Sequence, residues 1–367
     1  MPERLRPFRP ISPGEILQDE LVARGWTQSD LAEILDRPVQ AINEIISGKK
    51  AIVPPTAVEF SLAFNTSPEF WLNLESAYRL DLLHHKGGDG EEIARRAKVY
   101  SLVSVKDIQK KGWITKTKDL DVIEKDVCKL LGIKSLEEKP TLALAARKSD
   151  SYTEFSPAQI AWACRARQMA RRQKVKPFNP RLFNAQVDKL PSLSVEEDNI
   201  KQVVKTLADI GIRLVIVEHL PQTYIDGACF WLTDKSPVVA LSLRYDRIDY
   251  FFFTLMHELA HIKRNSSHTV HVDDNLVGPS AEAREGKPEE EQDADNLASE
   301  WLLPNDDVNT FIADTKPYYS KKAILAFADK VGVHPGIVVG RLQYLGEISY
   351  SHSRGMLVKV WDKLLEK

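Results

Sequence analysis

Apolar residues recur at helical spacing from the first capped segment of the chain. Ser12-Pro13-Gly14-Glu15 combines a side-chain acceptor, a proline in the first turn and a glutamate three residues on, which together predict a helix start. Ile16, Leu17, Leu21 and Val22 then make an apolar stripe that Gly25 closes. Thr27 caps a second helix with Leu31, Ala32 and Leu35 on its inner face, and Asp36-Arg37 interrupts it. Pro38 opens a third helix, Val39 to Ile46, ended by Ser47-Gly48. Two short helices joined by a tight turn predict a helix-turn-helix.

Helical spacing continues through Ile93, Ala94 and Ala97, then Ile123, Val127, Leu130 and Leu131, with a composition break at Lys86-Gly87-Gly88-Asp89-Gly90 between the two blocks. Residues 156–176 put Ile160, Ala163 and Ala166 opposite Arg165, Arg167, Arg171, Arg172, Lys174 and Lys176, which reads as a solvated basic helix more readily than as a second nucleic-acid contact. The pattern then becomes β-like. Gly211–Glu218 alternates and is rich in β-branched residues, and Gly227–Leu232 and Pro237–Ser242 flank an Asp234-Lys235-Ser236 turn, predicting an antiparallel meander. Asp246 is placed to cap the helix that follows.

That helix is a run of apolar residues and carries His-Glu-x-x-His at His257, Glu258 and His261. Residues four apart share a helix face, so both imidazoles can reach one metal ion while Glu258 holds a water beside it. A catalytic zinc usually takes three protein ligands. His268 and His271 follow soon after, but in a polar stretch that reads as a mobile surface loop. The better source is residues 289–304, where Ala294, Leu297, Ala298 and Trp301 define the buried stripe of a second helix that ends before Pro304. Glu291 and Asp295 lie four apart on it, so Glu291 can complete the ligand set while Asp295 accepts the outer N–H of one histidine. Glu290 and Asp293 point elsewhere.

Composition bounds the rest. The chain of 367 residues is long enough for two or three domains, and its net charge of −2 argues against a strongly basic protein. Three scattered cysteines, Cys128, Cys164 and Cys229, predict neither a disulfide framework nor a thiolate metal site. The first residues lack the apolar run of a signal peptide, and no stretch approaches the ~20 apolar residues of a membrane span. A cytoplasmic protein without membrane contact is expected.

Two family resemblances emerge from these motifs. Residues 10–80, including "ISPGEILQDELVARGWTQSDLAEILDRPVQAINEIISGKKAI" and the Ser67-Pro68-Glu69-Phe70-Trp71-Leu72-Asn73-Leu74 signature, resemble the HigA-type antitoxin branch of the XRE-family DNA-binding domains. The resemblance implies a lambda-repressor-like five-helix domain, dimeric on an operator, with the third helix in the major groove. It places Gln28, Val39, Gln40, Asn43 and Glu44 against bases or sugars and Lys49 and Lys50 against phosphates. Asp36 stands where glycine is common in the turn, a position asparagine and aspartate tolerate better than other side chains.

Residues 200–350 resemble the ImmA/IrrE metallo-endopeptidases through "RYDRIDYFFFTLMHELAHI" and "EQDADNLASEWLLP". That family's usual E-x-E-A-N-x-F-A appears here as Glu291-x-Asp293-Ala294-Asp295-x-Leu297-Ala298, keeping the ligand position. Residues 323–346 resemble the helical segment behind the family's peptidase helices, with a helix-turn-helix look about Gly332-Val333-His334-Pro335. The expected architecture is α+β: a helix-turn-helix domain over 1–85, a helical linker region over 86–200, a minimal zinc-peptidase domain with a small antiparallel sheet over 201–350, and a tail over 351–367.

The expected activity is zinc-promoted peptide hydrolysis, with His257, His261 and Glu291 holding Zn²⁺ and Glu258 moving the proton. The resemblance implies a narrow substrate, such as a repressor or antitoxin-like protein. The competing expectation is an antitoxin and autorepressor that binds operator DNA and a toxin without peptidase activity.

Overall fold

The computed structural model describes residues 11–86, 89–140, 155–264, 271–274 and 289–365. The chain divides into two compact units, Met1–Ala94 and Arg95–Lys367.

The first unit is all helical: α1 (Pro13–Arg24), α2 (Gln28–Ile34), α3 (Val39–Ile46), α4 (Pro54–Phe64) and α5 (Pro68–Lys86), followed by the start of α6 (Asp89–Leu102). The predicted caps form. Ser12 and Glu15 make a reciprocal capping box, Thr27 and Asp30 make another, and Gly25 ends α1 in the left-handed conformation. Asp36 sits at φ 49°, so the turn between α2 and α3 uses the tolerance that aspartate has for this region. Leu17, Leu21, Leu31, Ile42, Ile45, Phe60, Phe64 and Trp71 close the core, and the Trp71 Nε1–H donates to Thr66 Oγ1 at 2.9 Å. Gly14 is obligatory for packing: a Cβ there would stand 2.7 Å from the carbonyl carbon of Ile46 and 2.8 Å from the Ile45 oxygen. The last turn of α3 thus rests directly on the backbone of α1.

The second unit is built on a four-stranded sheet. Its helices and strands run α7 (Val105–Lys110), α8 (Leu120–Leu131), α9 (Pro157–Ala170), α10 (Pro180–Gln186) and α11 (Ile200–Ile210), then β1 (Arg213–Ile216), β2 (Ile225–Trp231) and β3 (Pro237–Leu241). There follow α12 (Ile248–Lys263), β4 (His271–Asp274), α13 (Glu289–Leu302), α14 (Asn305–Thr315), α15 (Lys321–Val331), α16 (Pro335–Tyr344) and α17 (Trp361–Leu365). The sheet order is β1-β3-β2-β4.

The expected hairpin is present, with β2 antiparallel to β3. The sheet as a whole is mixed, because β1 lies parallel to β3. A parallel neighbour is set by a crossover and leaves no turn signal to read. The polar stretch read as a surface loop contributes a strand, since β4 pairs antiparallel with β2, Cys229 opposite His271. His268 lies outside the described residues.

The alternation of the strands divides two cores. Leu214, Cys229, Val239 and Leu241 face the layer containing α12 and α16, where Phe251, Phe252, Leu255, Met256, Leu259, Val338, Val339 and Leu342 pack. Val215, Val217, Ala228, Phe230, Val238 and Ala240 face Val127, Leu130, Leu131, Ala161, Trp162 and Ala166 of α8 and α9. The helices between residues 95 and 170 therefore cover the second face of the sheet within this compact unit. Two hydrogen bonds fasten α9 to it, Gln159 Nε2 to the Thr223 oxygen at 3.1 Å and Trp162 Nε1 to the Val217 oxygen at 3.0 Å.

Asp246 does not cap α12. Its Oδ1 instead accepts from the backbone N–H groups of Val360 and Trp361, both at 2.8 Å, and so caps α17. The residue before α12 is Arg247, which makes no side-chain cap. Among the described residues no single helix is long and apolar enough to cross a membrane.

Candidate functional site

Fourteen of the sixteen residues of α12 are buried, which requires its polar members to find partners inside the fold. His257, Glu258 and His261 are 0% exposed, so none of them is a solvated surface group. The acidic helix α13 packs along α12 through Ala294, Ala298 and Leu302 and brings Glu291, 7% exposed, to the same point. His257 Nε2 lies 3.1 Å from His261 Nε2 and 3.2 Å from Glu291 Oε2, and His261 Nε2 lies 3.6 Å from Glu291 Oε1.

Those spacings test the site for a metal. A tetrahedral ion with bonds of about 2.0–2.1 Å holds its ligand atoms about 3.3 Å apart. The three observed separations bracket that value, and the donor set of two imidazoles and one carboxylate is one that zinc accepts. The residues fit a metal ion.

The protonation pattern is consistent with this. Asp295 Oδ1 stands 2.9 Å from His257 Nδ1. A carboxylate at that position is placed to take the Nδ1 proton when a metal ion engages Nε2. Burial opposes the charge of Glu291, but its hydrogen bonds with His257 and His261 outweigh that and hold its carboxyl well below the usual carboxylate range. Asp293 turns away and pairs with Arg264 at 2.6 Å.

Glu258 projects from α12 toward the sheet, where Gly227 of β2 faces it. A Cβ at Gly227 would fall far inside van der Waals contact with Glu258 Oε1 and 2.8 Å from Thr254 Cγ2. The carboxylate thus stands close against strand backbone. Sequence reasoning missed Gly227, although a glycine inside a strand is itself a signal of close approach. Phe253, one turn before His257, was also unassigned; its ring centroid is 6.3 Å from that of His257 and 6.5 Å from that of Tyr344.

In the first unit Val39, Gln40, Asn43, Lys49 and Lys50 are exposed, while Gln28 and Glu44 are half-buried. Val39, Gln40 and Asn43 share the outer face of α3, opposite the buried Ile42 and Ile45. Gln40 Nε2 donates to Glu44 Oε1 at 3.2 Å, and the Lys50 N–H donates to the Glu44 oxygen at 3.0 Å, so Glu44 is partly occupied within the helix and its exit turn.

Comparison with known proteins divides the chain at the same two places. A helix-turn-helix family model matches residues 17–71, and an IrrE N-terminal-like domain model of the M78 peptidases matches residues 209–343. An HTH-type transcriptional regulator of Haemophilus influenzae is 42% identical over 80 residues, covering 21% of this chain and 75% of that protein. Antitoxin HigA-1 of Vibrio cholerae is 36% identical over 73 residues, 20% of this chain and 69% of that protein. The solved structure of the Pseudomonas aeruginosa antitoxin HigA with higBA promoter is 35% identical and covers 23% of this chain and 91% of that one, with a TM-score of 0.22. The chain belongs to the XRE-type, HigA-like helix-turn-helix transcriptional regulators and carries behind that domain an IrrE N-terminal-like domain of the M78 peptidase family.

Proposed function

We propose that the protein is a cytoplasmic, dimeric, operator-binding regulator whose output is zinc-dependent, site-specific cleavage of a regulatory protein. The reader occupies residues 1–85 and the hydrolytic centre residues 201–350. The observation that carries this reading is the convergence of His257, His261 and Glu291 on one buried point beside Glu258. A metal site that only held the fold together would have no use for a second buried carboxylate next to it.

His257 Nε2, His261 Nε2 and Glu291 are the groups that would hold the ion. A zinc ion, when bound, supplies Lewis acidity that makes a water acidic and a peptide carbonyl electrophilic. Glu258 takes the proton of the attacking water and returns it to the departing amine nitrogen. Gly227 lets that carboxylate stand against strand backbone, and Thr254 packs beside it. Asp295 keeps His257 in the tautomer that presents Nε2. Phe253 sets an apolar ring beside His257, its centroid 6.3 Å from that of the imidazole.

Two experiments test the parts separately. Metal analysis of the purified protein is expected to find zinc bound stoichiometrically in the wild type and in Glu258→Ala, and to find it lost in His261→Ala and Glu291→Ala. Zinc retained by both ligand variants would refute the assignment. For the reader, operator binding measured by mobility shift is expected to lose sequence preference in Gln40→Ala plus Asn43→Ala, with roughly 1–3 kcal/mol of discrimination removed per base contact. Unchanged specificity would refute the role of α3. The assigned contacts are Gln28, Val39, Gln40, Asn43 and Glu44 to bases or sugars and Lys49 and Lys50 to phosphates, with Lys49→Ala or Lys50→Ala weakening all sequences alike.

A further inference from the structure

We propose that the cavity between α8, α9 and the turn at residues 111–115 is a binding site for a phosphate-bearing small molecule of about nucleotide size. The cavity measures about 330 Å³ and is mostly polar; Trp113, Asp126, Lys129, Arg165, Gln168 and Arg172 supply its chemistry. Specific ligand pockets begin at about this size.

Three cations and one carboxylate line it. The carboxylate is already engaged, because Asp126 accepts from the Thr115 N–H at 2.8 Å. The Thr115 side chain, and then this backbone bond, hold its carboxyl below the usual range. Among the described residues Arg165, Arg172 and Lys129 form no ion pair. The Arg165 guanidinium lies 5.9 Å from the centre of the Trp113 ring, spends one donor on Gln168 Oε1, and keeps its Nε buried without a hydrogen-bond partner among the described residues. Burial, and then the like charge of Arg172, depress its ordinary basicity.

Two guanidiniums lining one cavity, with no ion pair among the described residues and the cavity's carboxylate already engaged by Thr115, offer donors that match the oxygens of a phosphate. Of the residues read from sequence as a solvated basic face, Arg165 and Arg167 are half-buried, while Arg171, Arg172, Lys174 and Lys176 are exposed as expected. Concavity and an indole wall favour a small molecule over a duplex, which needs an outward-facing basic track. An occupant would tie α8 to α9, the helices covering the sheet face behind Ala228 and Phe230 of β2. The neighbouring Gly227 of that strand faces Glu258 on the other side. This inference does not depend on the peptidase reading.

Thermal unfolding of the full chain with inorganic pyrophosphate, and separately with AMP, tests it against sodium chloride at matched ionic strength. Saturating pyrophosphate is expected to raise the unfolding temperature by roughly 5 °C. The shift should vanish in Arg165→Gln and Arg172→Gln while their own unfolding temperatures stay near that of the wild type. A larger shift with AMP would assign the site to a nucleotide, and an equal one to the phosphate group alone; either supports the proposal. If an arginine variant fails to fold, Lys129→Gln at the same cavity should reduce the shift in a folded protein. An equal shift with chloride, a shift that survives in both arginine variants, or Arg165-dependent binding of duplex DNA without any response to pyrophosphate or AMP would overturn it.

Discussion

Glu258→Gln is expected to slow peptide cleavage by ~10²–10⁴-fold, the range that a positioned general base contributes, without loss of zinc. The substitution keeps the size and burial of a side chain that is 0% exposed and removes only its basicity. Because Glu258 shares α12 with His257 and His261 but lies on its sheet-facing side, the ligand atoms at 3.1–3.6 Å from one another should not move. The rate is read on the substrate protein by the appearance of its new N-terminus, and zinc by metal analysis of the same preparation. A variant that cleaves at the wild-type rate would remove Glu258 from the chemistry.

Gly227→Ala should reach a similar loss by a different route. The added methyl would overlap Glu258 Oε1 and press on Thr254 Cγ2, so either the carboxylate or the strand must shift. Misplacing a catalytic group by about 1 Å can cost roughly 10²-fold in rate. Zinc content should be unchanged, since His257, His261 and Glu291 do not touch Gly227 in any described contact. Gly227→Ala combined with Glu258→Gln separates this from general damage. If the glycine acts through the carboxylate, the double variant should be about as slow as Glu258→Gln alone. Two losses that multiply would instead indicate an independent structural effect.

Where interactions are local in sequence, the fold was readable in advance. The capping boxes at Ser12 and Thr27, the Gly25 terminator, the left-handed Asp36 and the β2–β3 hairpin all follow from residues within a few positions of one another. The two chemistry-bearing helices were readable too, because His257 and His261, and likewise Glu291 and Asp295, are each spaced by one helical turn. Their meeting depends on the apolar stripe of α13, which Ala294 and Ala298 announce.

What escaped was non-local. β1 lies beside β3 with β2 intervening in sequence, a crossover that no turn residue encodes. β4 arises from a polar stretch because its pairing with β2 satisfies backbone groups, not an apolar pattern. Asp246 had two helix starts available, and the one it caps begins 115 residues later in the chain. Arg165 and Arg167 looked solvated because a basic residue carries no mark of which neighbour will cover it; desolvation by α8 and the Trp113 turn is a tertiary effect.

The most direct test of the central claim is a comparison of protein N-termini across cells expressing the wild-type chain and cells expressing Glu258→Gln at equal level. The account predicts one or a few new internal N-termini, in a regulatory protein, that appear only with the wild type and disappear when His261 or Glu291 is replaced. Identical N-termini in all strains, with zinc bound and operator control intact, would contradict it and leave an operator-binding repressor whose metal site performs no hydrolysis.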